Sequence, residues 1–327
     1  MKKILGRNIL ITGAAGFLGT HLIDALLKND FHITALDIVA PQNERLGVTW
    51  LQKDLLHDDL TEIFEDIDIV FHLVGKYLAG NNEYILNDLN TINVQTTSII
   101  AQYASLFNVK RVIYISSIAA CEESNERVIT EDSGNPVSSY GLSKLKAEET
   151  LISNLSRDVQ YIIFRPVAFF GEGHLGSIYD LTKIIKRKKF VMIGNGENYV
   201  NFLYVKDLVQ SLLEIGLSED IFNEKIIVSD DPLELKKLVD VICDELGTRK
   251  HSFSIPKKIA IAIGFSFDIL AKTFGITLPL SLNRVNAMTR DKWYSNAKMR
   301  RYLPVYNYGV VTGLKRSIAW YKENDLL

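Results

Sequence analysis

The sequence predicts an α/β fold: a doubly wound parallel sheet joined to a smaller, interleaved, mainly helical region. Three observations predict it. Short apolar runs alternate with longer helical patterns through the first half of the chain, as parallel βαβ units require. A glycine-rich turn, Thr12-Gly13-Ala14-Ala15-Gly16-Phe17-Leu18-Gly19, links the first apolar run to the first helical pattern. The alternation then breaks at Arg165-Pro166, where glycine-rich turns and later helices take over.

Taken in order, residues 8–12 read as a strand, 17–28 as an apolar-periodic helix and 32–37 as a second strand. A short strand at 48–51 and a buried one at 68–74 follow, then a helix from about 91 to 107. Residues 111–116 form the next strand, a long helix carries Tyr140 to about 155, and 160–165 is again a strand. Beyond the break, 167–199 is turn-rich with a helix near 177–188, while 202–215 and 226–229 read as a return to the sheet. From 231 onward the pattern is mainly helical. The expected division is therefore 1–165 plus about 201–229 for the sheet domain, and about 166–200 plus 230–327 for a region capping one end of it.

At 327 residues the chain can bury a large core. Its 47% hydrophobic and 23% charged content and net charge of -2 are ordinary for a globular protein. No basic excess points to nucleic acid and no polybasic tail to a membrane. Cys121 and Cys243 match no metal-ligand spacing and read as small apolar residues in a reducing compartment. The run after Met1-Lys2-Lys3-Ile4-Leu5 ends in the glycine turn, so it reads as a strand and not a signal peptide. The apolar stretch 259–267 is interrupted by Asp268 and Lys272, short of the roughly 20 residues a spanning helix needs. A cytoplasmic location is expected.

Two motifs carry the chemistry. In the first, Gly13 permits a tight turn, Gly16 lets backbone N–H groups approach a pyrophosphate, and Gly19 lets the helix sit on the strand. The helix N-terminus then faces the phosphates with its partial positive charge. Asp37, 24 residues after Gly13, closes the second strand, where a carboxylate accepts from ribose hydroxyls and repels a 2′-phosphate. Ile38, Val39 and Ala40 follow with no cation among them, which favours NAD over NADP. In the second motif, Tyr140 and Lys144 lie one helical turn apart on one face, with Ser116-Ser117 upstream. A phenol, an ammonium and a hydroxyl beside a dinucleotide suit hydride transfer at an alcohol or ketone.

The ordered set resembles the extended short-chain dehydrogenase/reductase family, its NAD-dependent epimerase/dehydratase group, over essentially the full chain. The residues that carry the resemblance are the glycine loop, Asp54-Leu55, His72-Leu73-Val74-Gly75, Asn93-Val94-Gln95-Thr96-Thr97, Ser116-Ser117, Tyr140-x-x-x-Lys144, Arg165-Pro166 and Tyr204-Val205-Lys206-Asp207. The resemblance implies a Rossmann-type sheet and a homodimer. It implies a cofactor site built from Gly13, Ala15, Gly16, Phe17, Leu18, Gly19, Asp37, Asp54, Leu55, Leu73, Val74, Gly75, Tyr140, Lys144, Pro166 and Val167. Asp54 and Leu55 would meet the adenine, and Pro166 and Val167 would border the nicotinamide. Tyr140 would be the acid/base, Lys144 would hold the nicotinamide ribose and favour the phenolate, and Ser117 would bond the reacting oxygen. Ser117 rather than Ser116 matches the family position. His72 reads as a core histidine, and Asn93 either orders the backbone near the site or packs a helix start.

Departures from the family pattern narrow the reaction. Sugar 4,6-dehydratases follow the catalytic hydroxyl residue with an Asp-Glu pair; here Ser117 precedes Ile118-Ala119-Ala120, and Glu122 and Glu123 are offset. Dehydration is not expected. Many nucleotide-sugar enzymes of the family carry an arginine where this chain has Val200. Lys183, Lys186, Arg187, Lys188 and Lys189 read either as diphosphate contacts or as a solvated helix end, and His174 as a substrate contact or a solvent-facing loop residue. The apolar segment 259–282 resembles that of the 3β-hydroxysteroid dehydrogenase-like branch, as core packing or as a greasy pocket or membrane-surface contact. The expected activity is NAD-dependent hydride transfer at a secondary alcohol, of a nucleotide sugar first, or else of a hydrophobic alcohol of the steroid or dihydroflavonol type. A non-catalytic NAD-binding sensor is the reading of another class.

Overall fold

The computed structural model describes residues 6–41, 43, 45–78, 82–121, 127–133, 136–249, 254–274, 282–289, 291 and 293–327. Met1–Leu5, Glu122, Glu123 and residues 275–281 of the apolar segment lie outside the described residues.

Seven strands form one sheet: β1 (Asn8–Thr12), β2 (His32–Asp37), β3 (Val48–Gln52), β4 (Ile69–His72), β5 (Arg111–Ile115), β6 (Gln160–Pro166) and β7 (Glu224–Val228). Their spatial order is β7-β6-β5-β4-β1-β2-β3, and every neighbouring pair is parallel. The chain runs outward one way from β1 and the other way from β4, so a crevice opens where these two strands end. The register there sets Thr12 beside both Leu36 and His72.

Strand alternation divides the core. Ile9 and Ile11 point to one face of the sheet, against the helices Phe17–Leu26 and Val205–Glu214. Leu10, Val70, Val112, Tyr114 and Ile163 point to the other, against the helices Thr96–Leu106 and Ser139–Asn154. Both faces are covered, which is why these strands read as continuous apolar runs.

Two expectations change. The helix expected from about 91 is preceded by Glu83–Leu89, capped by the Asn82 side chain on Ile85 N (2.9 Å). Between it and Thr96–Leu106, residues Asn90–Gln95 are wound as a π-helix. The segment 202–215 does not return to the sheet. Phe202–Tyr204 pairs with Ala168–Phe170 in a separate ribbon, and Val205–Glu214 is a helix. Its buried Val205, Leu208, Val209 and Leu212 have helical spacing, so strand period gives way to helix period within three residues. Among the described residues beyond β6, β7 alone rejoins the sheet, beside β6.

Candidate active site

The glycine turn leaves β1 through Gly13, whose φ of +72° is a left-handed conformation open to glycine. A Cβ there would lie 3.0 Å from Val74 N, so the turn also runs hard against the segment leaving β4. Asp37 ties the end of β2 to this turn. Its carboxylate accepts from Ala15 N (2.9 Å) and Val39 N (3.2 Å), leaving lone pairs for further donors.

A cavity of about 290 Å³ opens at this crossing. Gly13, Gly16, Asp37, Asp54, Leu55, Leu73, Val74 and Gly75 line it, joined by Leu36, Ile38, Lys53, Leu56, Ile92 and Thr96. Glycine backbone and a helix N-terminus on one wall, apolar side chains on the other and a carboxylate between them fit a dinucleotide. Ala15, Phe17, Leu18, Gly19, Pro166 and Val167 are not in its lining. Leu18 is in the core, and Phe17 stacks on His174 with ring centroids 4.6 Å apart and on Phe169 at 5.9 Å. Pro166 ends β6, and Val167 N donates to Val228 O of β7 (3.1 Å). His174 is therefore a half-buried ring in a stack, in place of a solvent-facing loop residue.

Tyr140 is the second residue of Ser139–Asn154, whose start is capped by Ser138 accepting from Gly141 N (3.0 Å). The Ser117 side chain lies beside the Tyr140 phenol, where it favours the ionised form, and its hydroxyl accepts from Ala119 N (3.2 Å). Burial holds that phenol above its ordinary pKa; Ser117 opposes this, and the nearby Tyr77 adds to it. The Tyr77 ring meets Tyr140 edge-on at 5.0 Å. Ser116 faces the other way and donates to Glu148 Oε1 (2.5 Å).

Lys144 is buried, and its ammonium donates to Ile115 O (2.8 Å) and Tyr114 Oη (3.2 Å). Burial depresses its pKa to about 8, against the opposing pull of Glu148. Burial is the largest influence on both Tyr140 and Lys144. Gly75 lets the chain pass, since a Cβ there would come within 3.0 Å of Lys144 Nζ.

Glu148 is the group that the sequence reading missed. It lies one turn beyond Lys144 and is fully buried. Arg165 of β6 grips both its oxygens, through Nε to Oε1 (2.8 Å) and Nη2 to Oε2 (2.6 Å). Arg165 Nη1 also donates to Glu131 O (2.7 Å), and Lys225 of β7 lies 3.4 Å from Glu148 Oε2. The spacing Tyr140-x-x-x-Lys144-x-x-x-Glu148 was the available signal, because it makes one stripe on a helix.

Asn93, fully buried in the π-wound segment, takes the backbone-ordering role. It accepts from Lys76 N (2.7 Å) and donates to Lys76 O (3.1 Å) and Ser143 Oγ (2.9 Å). This clamps the stretch after Gly75 to the Tyr140 helix, and π-turns recur at such functional positions. His72 is a core residue, set between Thr12 Oγ1 (2.7 Å) and Thr97 Oγ1 (3.1 Å), with burial pushing its pKa down to about 3. Among the described residues no cluster of His, Cys, Asp and Glu could hold a metal ion, and no helix is long and apolar enough to cross a membrane.

The chain is 26% identical to the N-acetyl-alpha-D-glucosaminyl-diphospho-ditrans,octacis-undecaprenol 4-epimerase of Escherichia coli O157:H7, over 96% of this chain and 95% of that one. It is 27% identical to the decarboxylating sterol-4-alpha-carboxylate 3-dehydrogenase of Dictyostelium discoideum, over 84% and 88%. The crystal structure of UDP-glucuronic acid 4-epimerase from Bacillus cereus in complex with NAD shares the fold, with a TM-score of 0.76, 20% identity and coverage of 97% and 99%. The profile described as the NAD dependent epimerase/dehydratase family matches residues 9–223, about two thirds of the chain. A glycine turn at the switch point of a parallel sheet, with a cavity lined by Asp37, Asp54 and Gly75 beside it, thus belongs to a chain of the NAD dependent epimerase/dehydratase family.

Proposed function

We propose that this chain epimerises a secondary alcohol of a diphosphate-linked sugar, a nucleotide sugar in the first instance, and holds its NAD through the cycle. The observation that carries the reading is the helix Ser139–Asn154, which presents Tyr140 next to Ser117 and, one turn on, the buried Lys144 ammonium bonded to Ile115 O. Gly13, Gly16 and the first turn of Phe17–Leu26 would hold the pyrophosphate, and Asp37, Asp54 and Leu55 the adenosine. Leu73, Val74 and Gly75 would flank the cofactor, Lys144 would hold the nicotinamide ribose, and Pro166 and Val167 would border the ring. When bound, NAD supplies the acceptor and later the donor of a hydride. Tyr140 removes the proton from the alcohol oxygen and gives it back after the sugar turns. Ser117 orients that oxygen by hydrogen bonding, while the charge on Lys144 favours the phenolate when it forms. Asn93 keeps Gly75 and Lys76 against the helix so that the cofactor channel stays open. The division into a sheet domain and a capping substrate region, a homodimer and a cytoplasmic location belong to the same reading.

A second reading has its own support. Val200 stands where many nucleotide-sugar enzymes of the family carry an arginine, which favours a dehydrogenase for a hydrophobic alcohol. The two differ in how they treat the cofactor, since an epimerase retains NADH and a dehydrogenase releases it. Purified protein is denatured, the released nicotinamide is measured, and UDP-sugars are assayed for isomerisation without added NAD. Bound nicotinamide with isomerisation is expected. Empty protein that forms NADH stoichiometrically from an apolar alcohol would reverse the assignment.

A further inference from the structure

Two features lie apart from the site, and the fold brings them together. One is the exposed cationic turn Lys186, Arg187, Lys188 and Lys189, which follows the helix Ser177–Lys186. The other is the apolar helix Lys257–Phe274. Met192–Ile193 pairs in parallel with Ser254–Ile255, and Gly194 N donates to Ile255 O (2.9 Å). The cationic turn therefore runs into the same short ribbon from which the apolar helix starts.

Among the described residues of that helix, Ala260 and Gly264 are buried and Ile261, Ile263 and Phe267 are half-buried. Ala260 is fully buried against Ile193 and Val285. Its outward side exposes apolar residues, Ile259 52%, Phe265 57% and Leu270 42%, beside Ser266 and Asp268. Ile259, Ala262, Ser266 and Leu270 fall on one stripe by helical spacing, with Phe265 beside it. Lys257, Lys258 and Lys272 are exposed on the same helix. Segments 177–193 and 254–274 together hold eight Lys/Arg against two Asp, on a chain whose net charge is -2. Positive charge is thus concentrated where apolar side chains are also exposed.

We propose that this face docks peripherally on an anionic lipid bilayer. Ile259, Phe265 and Leu270 enter the boundary between headgroups and acyl chains, while the turn 186–189 and the helix-start lysines meet the lipid phosphates. The pairing of chemistries selects this occupant. A second copy of the chain docking on the same face would set like charges against each other. A soluble anion would leave the apolar stripe in water. An amphipathic helix with lysines beside a greasy face is the form that interfacial binding takes. The inference holds whichever alcohol is the substrate.

The test is co-sedimentation of the full chain with vesicles of phosphatidylcholine alone and of phosphatidylcholine mixed with phosphatidylglycerol, at low and high salt. Binding to the mixed vesicles is expected to exceed that to neutral ones by ~10-fold or more, and to fall as salt screens the charges. Two variants are compared: Phe265→Ser, and Lys186→Glu with Lys188→Glu. Each is expected to lose most vesicle binding while keeping wild-type nicotinamide content and thermal unfolding. No binding to anionic vesicles overturns the proposal, as does equal binding to both compositions. Vesicle binding unmoved by either variant overturns it too. A wild-type oligomer that Phe265→Ser dissociates, with no vesicle binding, would assign the face to a second copy instead.

Discussion

Glu148→Ala is the most informative single change, because it tests a contact that joins the site to the core. The substitution removes a fully buried carboxylate and leaves Arg165, itself 3% exposed, without the two bonds at 2.8 and 2.6 Å. Ser116 loses its acceptor as well, and Arg165 keeps only Glu131 O among these partners. Breaking a buried ion pair from one side costs about 3–5 kcal/mol, since the remaining charge is stranded. Lys225 adds little to this cost, because it is already partly in solvent. Glu148→Gln keeps the shape and one acceptor, so about half that loss is expected. Urea unfolding of wild type and both variants at neutral pH, with slopes compared, measures this. The two variants also move a second quantity. Glu148 opposes the burial that depresses Lys144 to about 8, so without it the ammonium loses its proton at lower pH. The alkaline fall of kcat/KM should then shift downward in Glu148→Gln. A loss below about 1 kcal/mol in Glu148→Ala would refute the stranded-charge argument. An unmoved alkaline limb would refute the link to Lys144.

Other changes probe the site residues directly. Tyr140→Phe is expected to cut turnover at least ~10²-fold with nicotinamide content intact, and near-normal turnover would dismiss the acid/base assignment. Asp37→Ala should weaken NAD binding by about 1–3 kcal/mol and narrow the gap to NADP, as titration with both cofactors reads directly; a wild-type preference for NADP would sink it. Lys144→Met addresses pH. The folded pKa of about 8 lies below the ordinary 10.5, so the stability from neutral Lys144 is full above the unfolded value and lost as pH falls through 8. Relative to wild type, the variant should therefore gain stability as pH drops from 10.5 to 7, on the order of 3 kcal/mol across that window, while activity is lost. A stability difference that does not change with pH would count against a buried ammonium.

The features legible in the sequence were those that local spacing determines. The alternation of short apolar runs with helical patterns gave the parallel sheet, because both of its faces are covered and central strands such as β4 and β5 are buried along their whole length. The glycine turn, Asp37 and the Tyr140–Lys144 pair could be found because each depends on neighbours within a turn or one βαβ unit. The change from strand to helix at Tyr204–Val205 was missed, since an apolar run that short has no period of its own. Asn93 in its π-wound segment depended on Lys76 and Ser143, 17 and 50 residues away. Glu148 reads as an ordinary helix carboxylate until Arg165 of β6 and Ser116, just past β5, arrive and remove it from water. The lysine run and the apolar helix likewise read as separate surfaces until 192–193 and 254–255 pair. Periodicity and turn chemistry act along the chain, so they can be read from it; the state of a buried charge and the company of a surface patch depend on residues that only tertiary packing brings near.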